Sequence, residues 1–308
     1  MRVVTVPAFA KINLTLRVLG VRDDGYHALR TVFQSLALHD TLTFHPVRGA
    51  FRIECDHPAC PTDRTNLVWR AADLVWRAAG RPGRPGGVVV QIAKRIPLQS
   101  GLGGGSSDAA AAIRALVSLW RVDLPPARRQ AIATSLGADV PFFLDGGTAL
   151  GVDRGDLLFP LIDQPAAWVT LALPTFGVST KEAYLWFDQA SQEMRYRRDR
   201  DRRGRRSKDL GVLRVPGGES FGIPESEWTN DLEARVAHRH PEIGRLARNL
   251  RKLGAFYAAM SGTGSAVYGL FDTRARAQAA TRALAGPGCR TIVTRTLSRK
   301  QFVRGVRL

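Results

Sequence analysis

Arg95-Ile-Pro-Leu-Gln-Ser-Gly-Leu-Gly-Gly-Gly-Ser-Ser-Asp-Ala-Ala-Ala-Ala-Ile113 decides how the rest of the chain is read. Before it, Val88-Val-Val-Gln-Ile92 is short, apolar and β-branched, which predicts a buried strand. After it, an alanine-rich run to Trp120 predicts a helix. Between the two, Gly101, Gly103, Gly104 and Gly105 let the backbone approach a ligand closely and turn its N–H groups inward. Ser106-Ser-Asp108 is expected to cap the helix. The helix start adds unpaired N–H groups and the positive end of its dipole. Together these parts make an anion cradle, and phosphate is the anion it suits. The common cradles do not match. Counted from Gly101 or Gly103, the last glycine of the dinucleotide fingerprint is replaced by Ser106 or Asp108, and no Gly-Lys-Ser or Gly-Lys-Thr supplies a Walker A lysine. The His-Arg-Asp and Asp-Phe-Gly loops of protein kinases are missing too. A flexible linker is the plain alternative, but a linker is not normally followed at once by polar caps and an alanine helix.

Composition narrows the class. A chain of 308 residues with 44% hydrophobic and 23% charged residues is globular and long enough for one large or two ordinary domains. No apolar run is long enough to span a bilayer, and the start Met1-Arg-Val-Val-Thr-Val-Pro7 lacks a signal-peptide core. Cys55, Cys60 and Cys289 show no zinc-like spacing and suit a reducing compartment, so a cytoplasmic protein is expected. The net charge of +18 by itself suggests nucleic acid. Much of it is local, because 195–208 carries eight Arg and one Lys against two Asp. The dispersed remainder equally suits a protein that grips polyphosphates.

Along the chain, Ala10-Lys-Ile-Asn-Leu-Thr-Leu-Arg-Val18 alternates and predicts a half-buried strand, with Lys11 and Asn13 together on its polar face. On pattern alone, a solvated face is the stronger reading. Gly20 to Gly25 is a turn, and Tyr26-His27 beside it can stack on a base and hydrogen-bond its edge, or simply begin a strand. Leu36–Phe44 reads as a strand. Asn66 caps a helix with the stripe Leu67, Ala71, Leu74, Val75 and Ala78. Pro125-Pro126 opens another helix to Leu136, and Asp139 follows as a lone acid before Pro141 and two Phe, either a cap or a site residue. Strands are predicted over Thr148–Val152, Leu157–Leu161, Trp168–Pro174, Ala255–Met260, Val267–Phe271 and Thr291–Leu297. Helices are predicted after Asn230-Asp231, from Pro241 to Leu253, and over Thr273–Ala285. Phe176–Lys181 reads as a loop, 194–219 as a basic disordered insert, and Ser261-Gly-Thr-Gly-Ser-Ala266 as a second glycine turn. The mixture predicts an α+β fold divided near residue 162.

The segment Pro97 to Ala110 resembles the second signature of the GHMP small-molecule kinases. Ala10-Lys-Ile-Asn-Leu14 with Gly25-Tyr-His27 is similar to the first signature, and Met260-Ser-Gly-Thr-Gly-Ser265 to the third. Gly137-Ala-Asp-Val-Pro141 and Asn66-Leu67 resemble further family segments. The Tyr26-His27 pair and the doubled glycine before Ser106 point to the branch acting on diphosphocytidyl-methylerythritol.

The resemblance implies a two-lobed GHMP kinase fold, with an ATP-binding lobe over 1–162, a C-terminal lobe over 163–308, and a cleft between them. It implies Asp139 as the acceptor of the substrate hydroxyl proton and Lys11 beside the γ-phosphate. Pro97, Leu98, Gln99, Ser100, Gly101, Leu102, Gly103, Gly104, Gly105, Ser106 and Ser107 would hold the ATP phosphates. Asn66 and Lys94 would lie on the adenine side. Tyr26 and His27 would hold a cytosine, and Asn13, Gly262, Thr263 and Gly264 would complete the acceptor pocket. Mg²⁺ would ride on the nucleotide, touching Ser107. The expected partner is a small-molecule substrate, with no membrane or nucleic acid, and the protein a monomer or homodimer. Another kinase of the family, acting on mevalonate, homoserine or a sugar, is the nearest alternative, and a basic nucleic-acid-binding protein the more distant one.

Overall fold

A computed structural model describes residues 2–201 and 227–308. The chain makes β1 (Val4–Val21), β2 (His27–Ala50), β3 (Arg52–Cys55), α1 (Leu67–Ala78), β4 (Gly86–Ala93), α2 (Gly104–Leu119), α3 (Pro126–Leu136), α4 (Phe142–Asp145), β5 (Thr148–Asp153) and β6 (Leu157–Pro160). It continues with β7 (Trp168–Pro174), α5 (Thr180–Asp201), α6 (Glu233–Arg239), α7 (Pro241–Lys252), β8 (Tyr257–Met260), β9 (Val267–Phe271), α8 (Arg274–Leu284), β10 (Cys289–Arg295) and α9 (Arg299–Gly305). The class is α+β, as the sequence predicts. The predicted disordered insert, 194–219, begins on the last turns of α5, and its residues from 202 onward lie outside the described residues.

The strands form two sheets. The first runs β3-β4-β2-β5-β6 with β1 paired to β2, and the second runs β10-β7-β9-β8. In the first, only the β3–β4 pair is parallel. Its outer face carries Val6, Phe44, Val90 and Ile92, which pack with Val68, Ala72 and Val75 of α1 and Ala109, Ala112 and Leu116 of α2. Four consecutive alanines, Ala109 to Ala112, are fully buried, and their small side chains let α2 lie close to its neighbours. The second sheet is covered by Val236, Ile243, Leu246, Leu250 and Ala277 from α6, α7 and α8. A third cluster joins the sheets, with Ile12, Leu14, Val32 and Leu36 against Val169, Leu171, Tyr268 and Leu270.

Strand β1 departs from expectation. Its apolar face is buried, but so is its polar face: Lys11, Asn13 and Thr15 are each 3% exposed. Alternation reports which residues share a face, and a face lining a site looks the same as one facing water. The ladder with β2 also shifts register between Phe9 and Lys11 and between Asn13 and Thr15. Such bulges free ladder groups for other partners. The Lys11 N–H accordingly reaches the Leu102 carbonyl at 3.0 Å, tying the strand to the glycine loop.

Candidate active site

The loop before α2 has the shape a cradle needs. Gly101 (φ +76°) and Gly103 (φ +75°) lie in the left-handed region, where a side chain is strained. A β-carbon at Gly101 would collide with the Ser261 carbonyl, and one at Gly103 would come within 2.6 Å of the Phe143 ring and 3.1 Å of Lys11 Cγ. Helix α2 starts earlier than predicted: Gly103 is the N-cap, without a side-chain cap bond, and Ser106, Ser107 and Asp108 lie inside the helix. The N-terminal N–H groups of α2 are therefore left to an incoming anion. Ser107 is 1% exposed and Leu102 fully buried, whereas Leu98, Gln99 and Gly105 are exposed. Pro97 and Ser106 are half-buried. Ser100, 5% exposed, folds back through its hydroxyl onto the Pro97 carbonyl at 2.7 Å.

The second glycine turn is locked to the first. The Ser261 hydroxyl donates to Gly101 O at 2.9 Å, and Ala266 N–H donates to Ser100 O at 3.1 Å. Asn230 holds this turn from below, donating to Met260 O at 2.9 Å and Gly262 O at 2.8 Å while accepting from Leu232 N–H at 3.0 Å. The sequence marks Asn230 as a helix cap, but the N-cap of α6 is Leu232, without a side-chain cap bond, and Asn230 serves this turn and the Leu232 N–H ahead of the helix. Gly264 turns with φ +88°, and Thr263 meets Thr180 at the start of α5, hydroxyl to hydroxyl at 3.4 Å.

Against these two loops stand the candidate reacting groups. Lys11 Nζ donates to Asn13 Oδ1 at 2.6 Å and lies 3.4 Å from Asp139 Oδ2. The Asn13 amide is fixed in turn, donating to Thr31 Oγ1 at 2.7 Å, and Thr31 donates to Thr15 O at 2.7 Å. A β-carbon at Gly262 would lie 3.3 Å from Lys11 Nζ and 3.2 Å from Asn13 Oδ1, so the turn comes right up to the ammonium. Lys11 is buried, whereas the Asp139 side chain is 35% exposed, open enough to meet a ligand. Arg114, on α2, donates to Phe143 O at 2.6 Å and so braces α4 just after Asp139. Burial, against the charge of Asp145, lowers its guanidinium to about 10.

Two residues expected on the adenine side are engaged by other groups of the protein. Lys94 is buried between Asp40 and Asp108, with Asp108 Oδ2 at 2.9 Å. It supports the root of the loop, because a β-carbon at Gly104 would lie 3.3 Å from its ammonium. Burial alone would lower the Lys94 ammonium, but the charges of Asp108 and Asp40 hold it above its ordinary range. Burial raises the Asp108 carboxyl to about 7 despite Lys94. Asp40 takes Arg95 and Ile96 N–H bonds as well as Lys94, whereas Asp108 Oδ1 has no hydrogen-bond partner among the described residues. Asn66 caps α1, accepting from Val68 N–H at 2.9 Å and donating to Pro61 O at 2.6 Å, and its amide is fully engaged there.

At the far end of the β1–β2 hairpin, Tyr26 is 61% exposed, with the Arg154 guanidinium 5.6 Å from its ring centre. His27 begins β2, stacks on Tyr184 of α5 (centroids 4.6 Å apart, planes 21°), and bonds Asp188 through Nε2 at 2.8 Å. Burial and then the charge of Asp139 push the Tyr184 phenol up, which places that ring in the field of the carboxylate. Tyr184 and Asp188 escape the sequence reading, which places a loop where α5 begins. Their spacing of four on one helix face was the available signal.

The chain matches the models for the GHMP kinases N terminal domain over residues 66–147 and GHMP kinases C terminal over 219–288. It is 41% identical to a 4-diphosphocytidyl-2-C-methyl-D-erythritol kinase of Moorella thermoacetica, covering 96% of this chain and 100% of the relative. It is 39% identical to one of Gloeobacter violaceus, over 96% and 95%. A crystal structure of 4-(cytidine 5'-diphospho)-2C-methyl-D-erythritol kinase superposes with a TM-score of 0.75 at 34% identity, covering 95% of this chain and 99% of that one. Likeness of this degree, along nearly the whole length and through both glycine turns, places the chain in the 4-diphosphocytidyl-2-C-methyl-D-erythritol kinase family of the GHMP kinases.

Proposed function

We infer that the chain transfers the γ-phosphoryl group of ATP to the 2-hydroxyl of 4-diphosphocytidyl-2-C-methyl-D-erythritol, a step of the non-mevalonate route to isoprenoid precursors. The observation that carries the site assignment is the Lys11–Asp139 contact of 3.4 Å, set between two interlocked glycine turns. Phosphoryl transfer depends on positioning and on neutralising charge, and this arrangement offers both. Asp139 accepts the hydroxyl proton as the oxygen attacks. Lys11 offsets charge on the transferring group. Asn13 orients Lys11 through a 2.6 Å bond. The backbone of Gly101 to Ser107 and the start of α2 hold the phosphates, with Pro97 to Ser100 forming the approach. Gly262, Thr263 and Gly264 close the acceptor side, and Tyr26 and His27 take the cytosine. Asn66 and Lys94 act by holding the helix starts and loop root rather than by touching adenine.

Mg²⁺ fits as a companion of the nucleotide. Among the described residues no group of three or more His, Cys, Asp or Glu could cage a metal. A hard, water-retaining cation bound chiefly by phosphate oxygens needs no such cage. Ser107 is the one protein group assigned to it and would hold it through its side-chain hydroxyl. When bound, the ion supplies further charge neutralisation at the phosphates. No helix among the described residues is long and apolar enough to cross a membrane. We place the enzyme in the cytoplasm as a monomer or homodimer, and divide it at residue 162 into an ATP-binding and a C-terminal lobe.

The test is ADP release by the purified protein with the cytidylyl alcohol, mevalonate or homoserine as acceptor. Turnover with the cytidylyl alcohol alone is expected. Comparable turnover with mevalonate or homoserine would overturn the substrate assignment.

A further inference from the structure

His27 and Asp188 come from elements far apart in the chain, one at the start of β2 and the other on α5. The His27 side chain is 11% exposed and its Nε2 lies 2.8 Å from Asp188 Oδ1. An ionised carboxylate only accepts hydrogen bonds, so Nε2 must carry the proton in this contact. In a neutral imidazole the other nitrogen, Nδ1, is then a bare acceptor. Among the described residues no hydrogen bond engages Nδ1. The ring cannot easily turn to exchange the two nitrogens, because Tyr184 is stacked on its face 4.6 Å away. Tyr184 and Asp188 lie four residues apart on α5, so one helix face delivers both the plate and the carboxylate.

We propose that Asp188 is a positioning residue that fixes the His27 tautomer, so that Nδ1 accepts from the exocyclic amino group of a cytosine and rejects the carbonyl that uracil has there. The proposal rests on the reading that His27 faces the base of the acceptor. Its chemistry is that of a selectivity filter. An amino group donates to Nδ1, whereas a carbonyl oxygen meets a lone pair and leaves both acceptors unpaired. The filter needs no further contact, because the carboxylate sets the sign of the hydrogen bond from behind the ring. Asp188→Asn removes that control. An asparagine amide can donate to Nε2 as well as accept from it, which allows the opposite tautomer, with a proton on Nδ1 that suits a carbonyl.

Three measurements test this. Nitrogen-15 NMR of the His27 ring in the wild-type protein should show the proton on Nε2, and a ring protonated on Nδ1 alone overturns the proposal without any variant. For Asp188→Asn, kcat/KM with the cytidylyl acceptor relative to its uridylyl counterpart should fall by about 10-fold or more. Most of that change should come from KM, with kcat for the cytidylyl acceptor within about 2-fold of wild type. An unchanged ratio overturns the proposal. His27→Ala separates the two levels. If His27→Ala raises KM while Asp188→Asn keeps its selectivity, only the tautomer inference fails. If His27→Ala leaves KM unchanged, the base lies elsewhere and the reading beneath the inference fails with it.

Discussion

Lys94 Nζ lies 2.9 Å from Asp108 Oδ2 at the root of the glycine loop, with Asp40 on its other side and almost no solvent reaching any of the three. The first helix turn after the glycine loop therefore rests on a buried cluster of one ammonium and two carboxyls. Removing the ammonium leaves two acids facing each other in a place they cannot hydrate. Lys94→Met is expected to destabilise the protein by about 3–5 kcal/mol, as broken buried pairs do. Asp108→Asn, which keeps the shape and removes only a charge the site disfavours, should cost about 1 kcal/mol or less. Urea unfolding of the two variants checks the difference, and equal losses would show that the ammonium matters no more to the cluster than the Asp108 charge does.

The same cluster makes a pH prediction. Burial holds the Asp108 carboxyl at about 7, above its ordinary value of 3.8. The native state therefore binds more protons than the unfolded chain between these values, and stability contributed by this group falls as pH rises from about 4 to about 7. Exposed Asp24, Asp56 and Asp63 are lowered by hydrogen bonds, first those from the Arg22 side chain, the Lys94 backbone and the Thr65 side chain respectively. They act in the opposite sense, withdrawing support as pH falls below about 4. Melting temperatures from pH 4 to 8 should slope more gently in Asp108→Asn than in wild type. Parallel slopes would assign the titration to another group.

At the reacting centre, Asp139→Asn should fold normally, since its side chain is 35% exposed, and lose about 10²–10⁴-fold in kcat. Lys11→Ala should lose turnover while most ATP affinity survives. Steady-state kinetics beside nucleotide titration separates the two. Wild-type turnover in Asp139→Asn would remove it from the role of base, and full activity in Lys11→Ala would do the same for Lys11.

Asn230 offers a test of the framework rather than the chemistry. Asn230→Ala removes two donors from the Met260 and Gly262 carbonyls and the acceptor for Leu232 N–H. A loss of about 1–3 kcal/mol is expected, together with a rise in KM for the acceptor. Stability lost without any change in KM would show that the Gly262 turn keeps its shape unaided.

Most of the scaffold was legible from local pattern, and the glycine cradle most clearly, because its glycines, strand and alanine helix are contiguous. Asn66 caps α1 as read, and α7 begins at Pro241 and stops before Gly254. Contacts between distant residues were harder. Nothing near Lys94 announces Asp40, and Asp108 looks like a cap because Ser-Ser-Asp usually is one. Short elements were missed for different reasons. β3 is only four residues long, whereas α9 carries a complete Ser298–Gln301 capping box that the sequence does display. Lys11 and Asn13 were assigned to the site by family likeness, since alternation favoured a solvated face. Their burial follows from the bulged β1 ladder and the Lys11 N–H bond to Leu102, which no periodicity encodes.

The Ser261–Gly101 and Ala266–Ser100 bonds fasten the loop proposed to cradle the donor to the turn proposed to border the acceptor. A displacement of either is passed directly to the other, with no intervening relay. Where occupancy of one side shifts this seam, it alters the affinity of its neighbour, and by thermodynamic reciprocity the effect is equal in both directions. On the proposed site assignment, ATP and its co-substrate are expected to be coupled ligands of one seam, so that a tight inhibitor of either half changes the strength with which the opposite half is held.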